Sequence, residues 1–255
     1  MLIDTHAHLQ DNVYDQNIDG LIKNAQANNV KKIVCASYNL KSSIQSVDFA
    51  NKYDCIYAVI GVHPENCEEY NLEVESQLEQ LAQDKKVLAI GEIGLDYHYT
   101  TENKEVQKQA FISQIKLAHK LNLPIVIHSR DAIGDTLQII RDNKDYIKKG
   151  GVFHCFNASV PVLEEIVKMG FYVSYGGAIT FSNAEKLREI VASTPVDRIL
   201  LETDCPYMSP VPYRGKVNEP KNIDLVMEKL SAIKNVDIQE LEQIIENNAK
   251  NALNI

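Results

Sequence analysis

The 255-residue chain has no tryptophan, and its five cysteines are scattered. Cys35, Cys55, Cys67, Cys155 and Cys205 are odd in number and form no CxxC pair, which argues against a disulfide framework and against a cysteine-type zinc site. No apolar run approaches the length of a membrane span, and no basic segment leading into such a run opens the chain. Neither a membrane association nor a secretory leader is therefore expected, and a cytoplasmic monomer is. An excess of positive charge is missing too: 26 Lys and Arg face 35 Asp and Glu, a net charge of −9. Proteins that grip phosphate over a broad surface carry a basic face. A nucleic acid would have to be held here locally, by a small group of cations or by metal ions. No glycine-rich phosphate loop opens any helical stretch, which argues against an open doubly wound nucleotide-binding sheet.

What is present is an alternation. Short apolar runs at residues 2–4, 33–36, 56–61, 87–91, 125–128, 151–156, 171–175 and 199–202 read as eight strands. The stretches between them read as helices: Ile18, Leu21, Ile22 and Ala25 fall at helical spacing within 17–28, as do Val106, Ala110, Ile112, Ile115, Ala118 and Leu121 within 105–122, and Val160, Leu163, Ile166 and Val167 within 160–169. Eight βα units in a chain of this size predict a single-domain α/β protein, a (β/α)8 TIM-type barrel over residues 1–255. Two closing helices, about 220–234 and 238–250, add an extra C-terminal helix. The proline-rich stretch 207–219 reads as a functional loop, and the Glu-rich stretch 65–79 as a solvated face and loop.

Barrel enzymes carry their active sites at the C-terminal ends of the strands, and five of the seven histidines fall there. His6 and His8 follow the first apolar run, on one face of a strand of period two, with Asp4 sharing their parity. His63, Glu92, His128, His154 and Asp204 close later runs. His6, His8, Glu92, His128, His154 and Asp204 offer four imidazoles and two carboxylates, more than one tetrahedral ion needs and enough for two divalent ions if one carboxylate bridges. The expected arrangement gives His6, His8 and Asp204 one ion, His128 and His154 the other, and makes Glu92 the bridge.

The stretches Ile3-Asp4-Thr5-His6-Ala7-His8, Gly61-Val62-His63-Pro64, Gly91-Glu92-Ile93-Gly94-Leu95-Asp96-Tyr97, Ile127-His128-Ser129-Arg130-Asp131-Ala132, Phe153-His154-Cys155-Phe156 and Leu201-Glu202-Thr203-Asp204-Cys205-Pro206-Tyr207 resemble the TatD family of metal-dependent deoxyribonucleases. The likeness continues through Arg214-Gly215-Lys216 and Asn218-Glu219-Pro220 to Asn248-Ala249; His98-Tyr99 departs from the usual pair. The resemblance implies a two-metal hydrolase of DNA, a 3′→5′ exonuclease using Mg2+ or Mn2+, with Zn2+ also compatible, and it assigns the same six residues as ligands. Asp204 is expected to take the proton of the attacking water. DNA is the expected partner, single-stranded or at its ends. His63 is a candidate for contact with phosphate or water, and Glu202 for fixing a ligand imidazole's tautomer. Arg130, Arg214 and Lys216 are candidates for holding phosphate, and Tyr207 for stacking on a base or binding phosphate. Asp96 reads as a turn cap. The alternative is an amidohydrolase-type enzyme acting on an amide, lactone or nucleobase; many of these bridge their ions through a lysine on the fourth strand, where this chain has Glu92.

Overall fold

The computed structural model describes residues 1–15 and 17–255. Strands and helices alternate: β1 (Leu2–Ala7), α1 (Ile18–Ala27), β2 (Val30–Ala36), α2 (Leu40–Lys52), β3 (Ile56–Ile60), α3 (Leu72–Leu81), β4 (Val87–Asp96), α4 (Lys104–Leu121), β5 (Ile125–Arg130), α5 (Ile133–Asp142), β6 (Gly151–Phe153), α6 (Val160–Lys168), β7 (Tyr172–Tyr175), α7 (Glu185–Ser193), β8 (Ile199–Leu201), α8 (Ile223–Lys234) and α9 (Ile238–Leu253). The strands follow one another in sequence order, β1 to β8, in one parallel sheet. That is the (β/α)8 class the alternation implies, with α9 as the extra helix. Among the described residues no helix is long and apolar enough to cross a membrane.

Two elements differ from the sequence reading. Residues 65–79 are not loop: a 3-10 turn (Pro64–Glu69) leads into α3, whose first turn is capped by the Asn71 side chain accepting from Glu73 and Val74 N–H. Val74 and Leu78, four residues apart, are its buried anchors, a stripe too thin to stand out among glutamates. β4 runs ten residues, so Glu92 lies inside the strand and not at its end. Gly94 permits this. Its φ is +144°, and a Cβ there would lie 1.9 Å from the carbonyl oxygen of His128, its partner on β5.

By internal packing the chain divides into two compact units, residues 1–35 with 154–255 and residues 36–153. In the first unit β7 pairs with β8, and the chain beyond β8 meets the end of β1. Asp204 N–H donates to the His6 carbonyl at 2.9 Å and His8 N–H to the Cys205 carbonyl at 2.8 Å. The fully buried Asp4 carboxylate reinforces the junction by accepting from Thr203 N–H at 2.9 Å and from the Thr203 hydroxyl. Burial outweighs these bonds and pushes the Asp4 carboxyl up to about 7. On the other side, Asn248 of α9 donates to the Val196 and Ile199 carbonyls, both at 2.8 Å, and fixes the start of β8.

In the second unit α4 does the corresponding work with two buried glutamines seven residues apart, on one helical face. Gln114 accepts from Val62 N–H at 2.8 Å and donates to the Val62 carbonyl at 2.9 Å. Gln107 does the same for Asp96, at 2.9 and 2.8 Å. Each amide reproduces a strand's pairing where strand pairing has ended, next to His63 and at the end of β4. Gln114→Leu would leave both Val62 backbone groups buried and unmatched, a cost of roughly 2–4 kcal/mol. Urea unfolding measures it, and a loss below about 0.5 kcal/mol would contradict this role.

Candidate metal centre

The first unit gathers His6, His8, His154, Glu202 and Asp204. The β1 pleat turns His6 and His8 to one face, and their Nε2 atoms stand 3.3 Å apart. Asp204 Oδ1 lies 3.3 Å from His8 Nε2 and 3.9 Å from His6 Nε2. Donors at about 2.1 Å from a common tetrahedral ion sit about 3.4 Å from one another, so this spacing fits a shared cation. The backbone exchange between His6 and Asp204 sets it, with Asp204 at φ +54° turning its side chain back toward β1. Burial acts to raise the Asp204 carboxyl, but the hydrogen bond from His8 and the charges of His8, His154 and His6 outweigh it and hold it below the usual range.

His154 follows β6, and its ring stacks on His6 with centroids 4.1 Å apart. Its Nδ1 lies 3.8 Å from Glu202 Oε1. Glu202 is completely buried and accepts from Cys155 N–H at 2.7 Å and from the Ser174 hydroxyl. The carboxylate predicted to fix a ligand imidazole thus acts chiefly on the turn that carries His154. His6, His154 and Glu202 together form a second set of mutually close donors in this unit.

The second unit gathers His63, Glu92, Asp96 and His128. Glu92 Oε1 is 2.7 Å from His128 Nδ1 and 3.5 Å from His63 Nε2. Two hydrogen bonds decide how these rings work. His63 Nδ1 accepts from Glu65 N–H at 3.2 Å. A neutral imidazole that accepts at Nδ1 carries its proton on Nε2, so His63 presents N–H to Glu92 and has no lone pair there for an ion. Burial pushes His63 down from the usual imidazole range, against the pull of Glu92. His128 Nε2 faces Asp96 Oδ2 at 2.9 Å. A neutral ring has one N–H for its two carboxylates; the other contact calls for a cation, a proton or a metal ion, on the Nδ1 side.

Asp96 is the residue whose part in the site the sequence reading missed. Its Oδ1 does cap a turn, accepting from His98 N–H at 2.8 Å, while Oδ2 orients His128. Burial acts to raise Asp96, but the bond from His128, with that from His98, prevails and leaves it lowered. Its position at the end of the same strand as Glu92 and four residues downstream was the available signal.

The candidates for phosphate contact lie farther out. Arg130 is exposed, with its guanidinium 5.1 Å from the Tyr99 ring centroid. Tyr207 is half-exposed; its hydroxyl donates to Asp11 at 3.0 Å and its ring lies 6.0 Å from that of His8. Arg214 stacks over Phe181 at 4.2 Å and Lys216 lies 5.8 Å from the Tyr213 ring. In each unit the buried imidazole and carboxylate donors suit a divalent ion better than a monovalent one. Adding Mn2+ or Zn2+ to chelator-treated protein is expected to raise its melting temperature, because an ion bound only by the folded state stabilises it. His8→Ala should cut that shift by at least half. An unchanged shift in a thermal-melt series would exclude His8 from the ion's ligands.

The comparisons with known proteins agree with this chemistry. The family model described as TatD related DNase matches residues 3–254. YabD of Bacillus subtilis (strain 168), an uncharacterized metal-dependent hydrolase, is 41% identical over 255 residues, with 100% of each chain covered. YcfH of Escherichia coli (strain K12), also an uncharacterized metal-dependent hydrolase, is 38% identical over 251 residues, covering 97% of this chain and 93% of its own. The crystal structure of YJJV, a TatD homolog from Escherichia coli K12, superposes with a TM-score of 0.93 at 29% identity, covering 100% of this chain and 98% of that one. With its buried histidine and carboxylate clusters on this fold, the chain belongs to the TatD-related DNase family and is a metal-dependent hydrolase.

Proposed function

We propose that this hydrolase is a deoxyribonuclease that cleaves DNA phosphodiester bonds from the 3′ end, working with two divalent ions, Mg2+ or Mn2+. The observation that carries the reading is the convergence of His6 Nε2, His8 Nε2 and Asp204 Oδ1 at ion-sharing distances. His154 would complete the ligand set of the first unit, and Glu92 with His128 would supply that of the second. Ions held there would acidify a water and neutralise charge on the phosphate and on the leaving 3′ oxygen.

The chain's own groups prepare this chemistry. Asp204, held ionised, takes the proton of the attacking water at a carboxylate oxygen. Asp96 fixes the ring of His128 through Nε2, and His63 steadies Glu92 through its Nε2–H. Arg130, with its forked guanidinium, would hold a phosphate of the strand. Glu92, a carboxylate where many amide- and lactone-cleaving relatives of this barrel class have lysine, favours the phosphodiester over those substrates.

A 5′-labelled single-stranded oligonucleotide tests the proposal. Chelator should abolish cleavage and Mg2+ or Mn2+ restore it, while Asp204→Asn and Glu92→Gln should each lower kcat/KM by at least ~100-fold. Removal from the 3′ end gives a ladder of labelled products, whereas removal from the 5′ end releases labelled mononucleotide at once. Undiminished cleavage in chelator or in either variant rejects the scheme, and turnover of amides or lactones with none of DNA selects the amidohydrolase reading.

A further inference from the structure

We propose that the loop of residues 206–217 is a platform for an unpaired DNA strand, on which bases stack on Tyr213 and Tyr207 and phosphates pair with Arg214 and Lys216. The inference rests on the nuclease reading and adds where, and in what form, the strand is held.

The loop is unusual in this molecule. Tyr207, Met208, Val211, Tyr213 and Val217 are 55%, 36%, 46%, 40% and 49% exposed, five of the thirteen large apolar side chains exposed among the described residues. Residues 211–217 are exposed without a break. Scattered exposed apolar residues need no explanation, but a cluster within one loop does. The same stretch carries Arg214 and Lys216 and no carboxylate, in a chain of net charge −9.

The exposed surface is also held in shape. Ser209 Oγ donates to the Lys216 carbonyl at 2.6 Å, Tyr213 N–H to the Pro210 carbonyl at 2.7 Å and Lys216 N–H to the Tyr213 carbonyl at 3.0 Å. Asn218 ties the base of the loop by donating to the Thr203 and Tyr207 carbonyls, both at 2.8 Å. The Arg214 guanidinium lies over the Phe181 ring, 4.2 Å from its centroid, a contact that restrains the cation beside the tyrosines. Aromatic faces beside fixed cations are what unpaired nucleic acid uses, since every base has a π-face and every link a charge. A duplex hides its base faces and would leave the tyrosines without partners. Tyr207 connects the platform to chemistry, being three residues from Asp204 with its ring edge-on to that of His8.

The test is fluorescence anisotropy of a labelled oligothymidylate, kept intact by phosphorothioate linkages, with the full chain in Mg2+. Tyr213→Ala should weaken binding about 5- to 100-fold, Tyr213→Phe should restore it, and the Ala change should leave an abasic oligomer of equal length unaffected. Replacing Arg214 and Lys216 together by Ala should lower the slope of log affinity against log salt by about 1.4. Binding by Tyr213→Ala within two-fold of the parent, or an equal loss with the abasic oligomer, overturns the platform. So does sedimentation in which Tyr213→Ala dissolves a dimer, which would assign the surface to a second copy. If the parent cleaves DNA while the loop variants bind it normally, the platform falls and the nuclease reading stands; if the parent neither binds nor cleaves DNA, both fall.

Discussion

Everything chemical in the first unit depends on a backbone exchange between the end of β1 and the chain leaving β8. Asp204 N–H gives its proton to the His6 carbonyl, and His8 N–H gives its own to the Cys205 carbonyl. These two bonds, between residues 198 and 197 positions apart in sequence, fix the register of the two segments, as the isolated pairing of Ala7 with Cys205 also records. The contacts between His6, His8 and Asp204 side chains follow from that register. Nitrogen and oxygen donors crowded at this distance, buried away from bulk water, are costly unless a proton or a cation lies among them. Asp4 and Thr203 bear on the same junction from below, so the fold spends buried polar groups on holding the ligands and not only on the ligands.

The second unit reaches a comparable end by other means. Parallel strands of unequal length leave backbone groups unpaired where one strand outruns its neighbour, and a buried amide without a partner is destabilising. Gln107 and Gln114, presented by one face of α4, fill two such places. The helix acts as a jig: the turn bearing His63 and the end of β4 bearing Asp96 are set against the same rigid rod. Asp96 then passes the constraint on to His128, and His63 passes it to Glu92. Substituting an apolar residue for either glutamine would keep the volume and lose the alignment.

Much of this is legible in the sequence, and the parts that are not share a cause. Strand parity is local, so His6 and His8 could be placed on one face from the chain alone, and the β/α alternation gives the fold class. The length of β4 could not be read, because Gly91 and Gly94 look like the end of a strand until the close approach of the His128 carbonyl explains Gly94. Helix α3 was hidden by its glutamates, since two apolar anchors give too little periodicity. The double duty of Asp96 and the proton position on His63 depend on partners 32 residues away and on a single backbone N–H. No pattern of residue types encodes those.

Charge unites the site with the rest of the surface on the nuclease reading. A polyanion approaching a chain of net charge −9 is repelled by most of what it meets, with a range of about 10 Å at moderate salt. A long duplex laid across such a surface would expose many phosphates to carboxylates and few to cations. On that reading a strand end needs only about two or three phosphates neutralised, which a bound ion with Arg214 and Lys216 of the first unit would supply. On the nuclease reading the acidic balance of the chain would therefore act as a filter, costing a terminus little and a continuous duplex much, and a preference for ends would need no separate device that measures strand length.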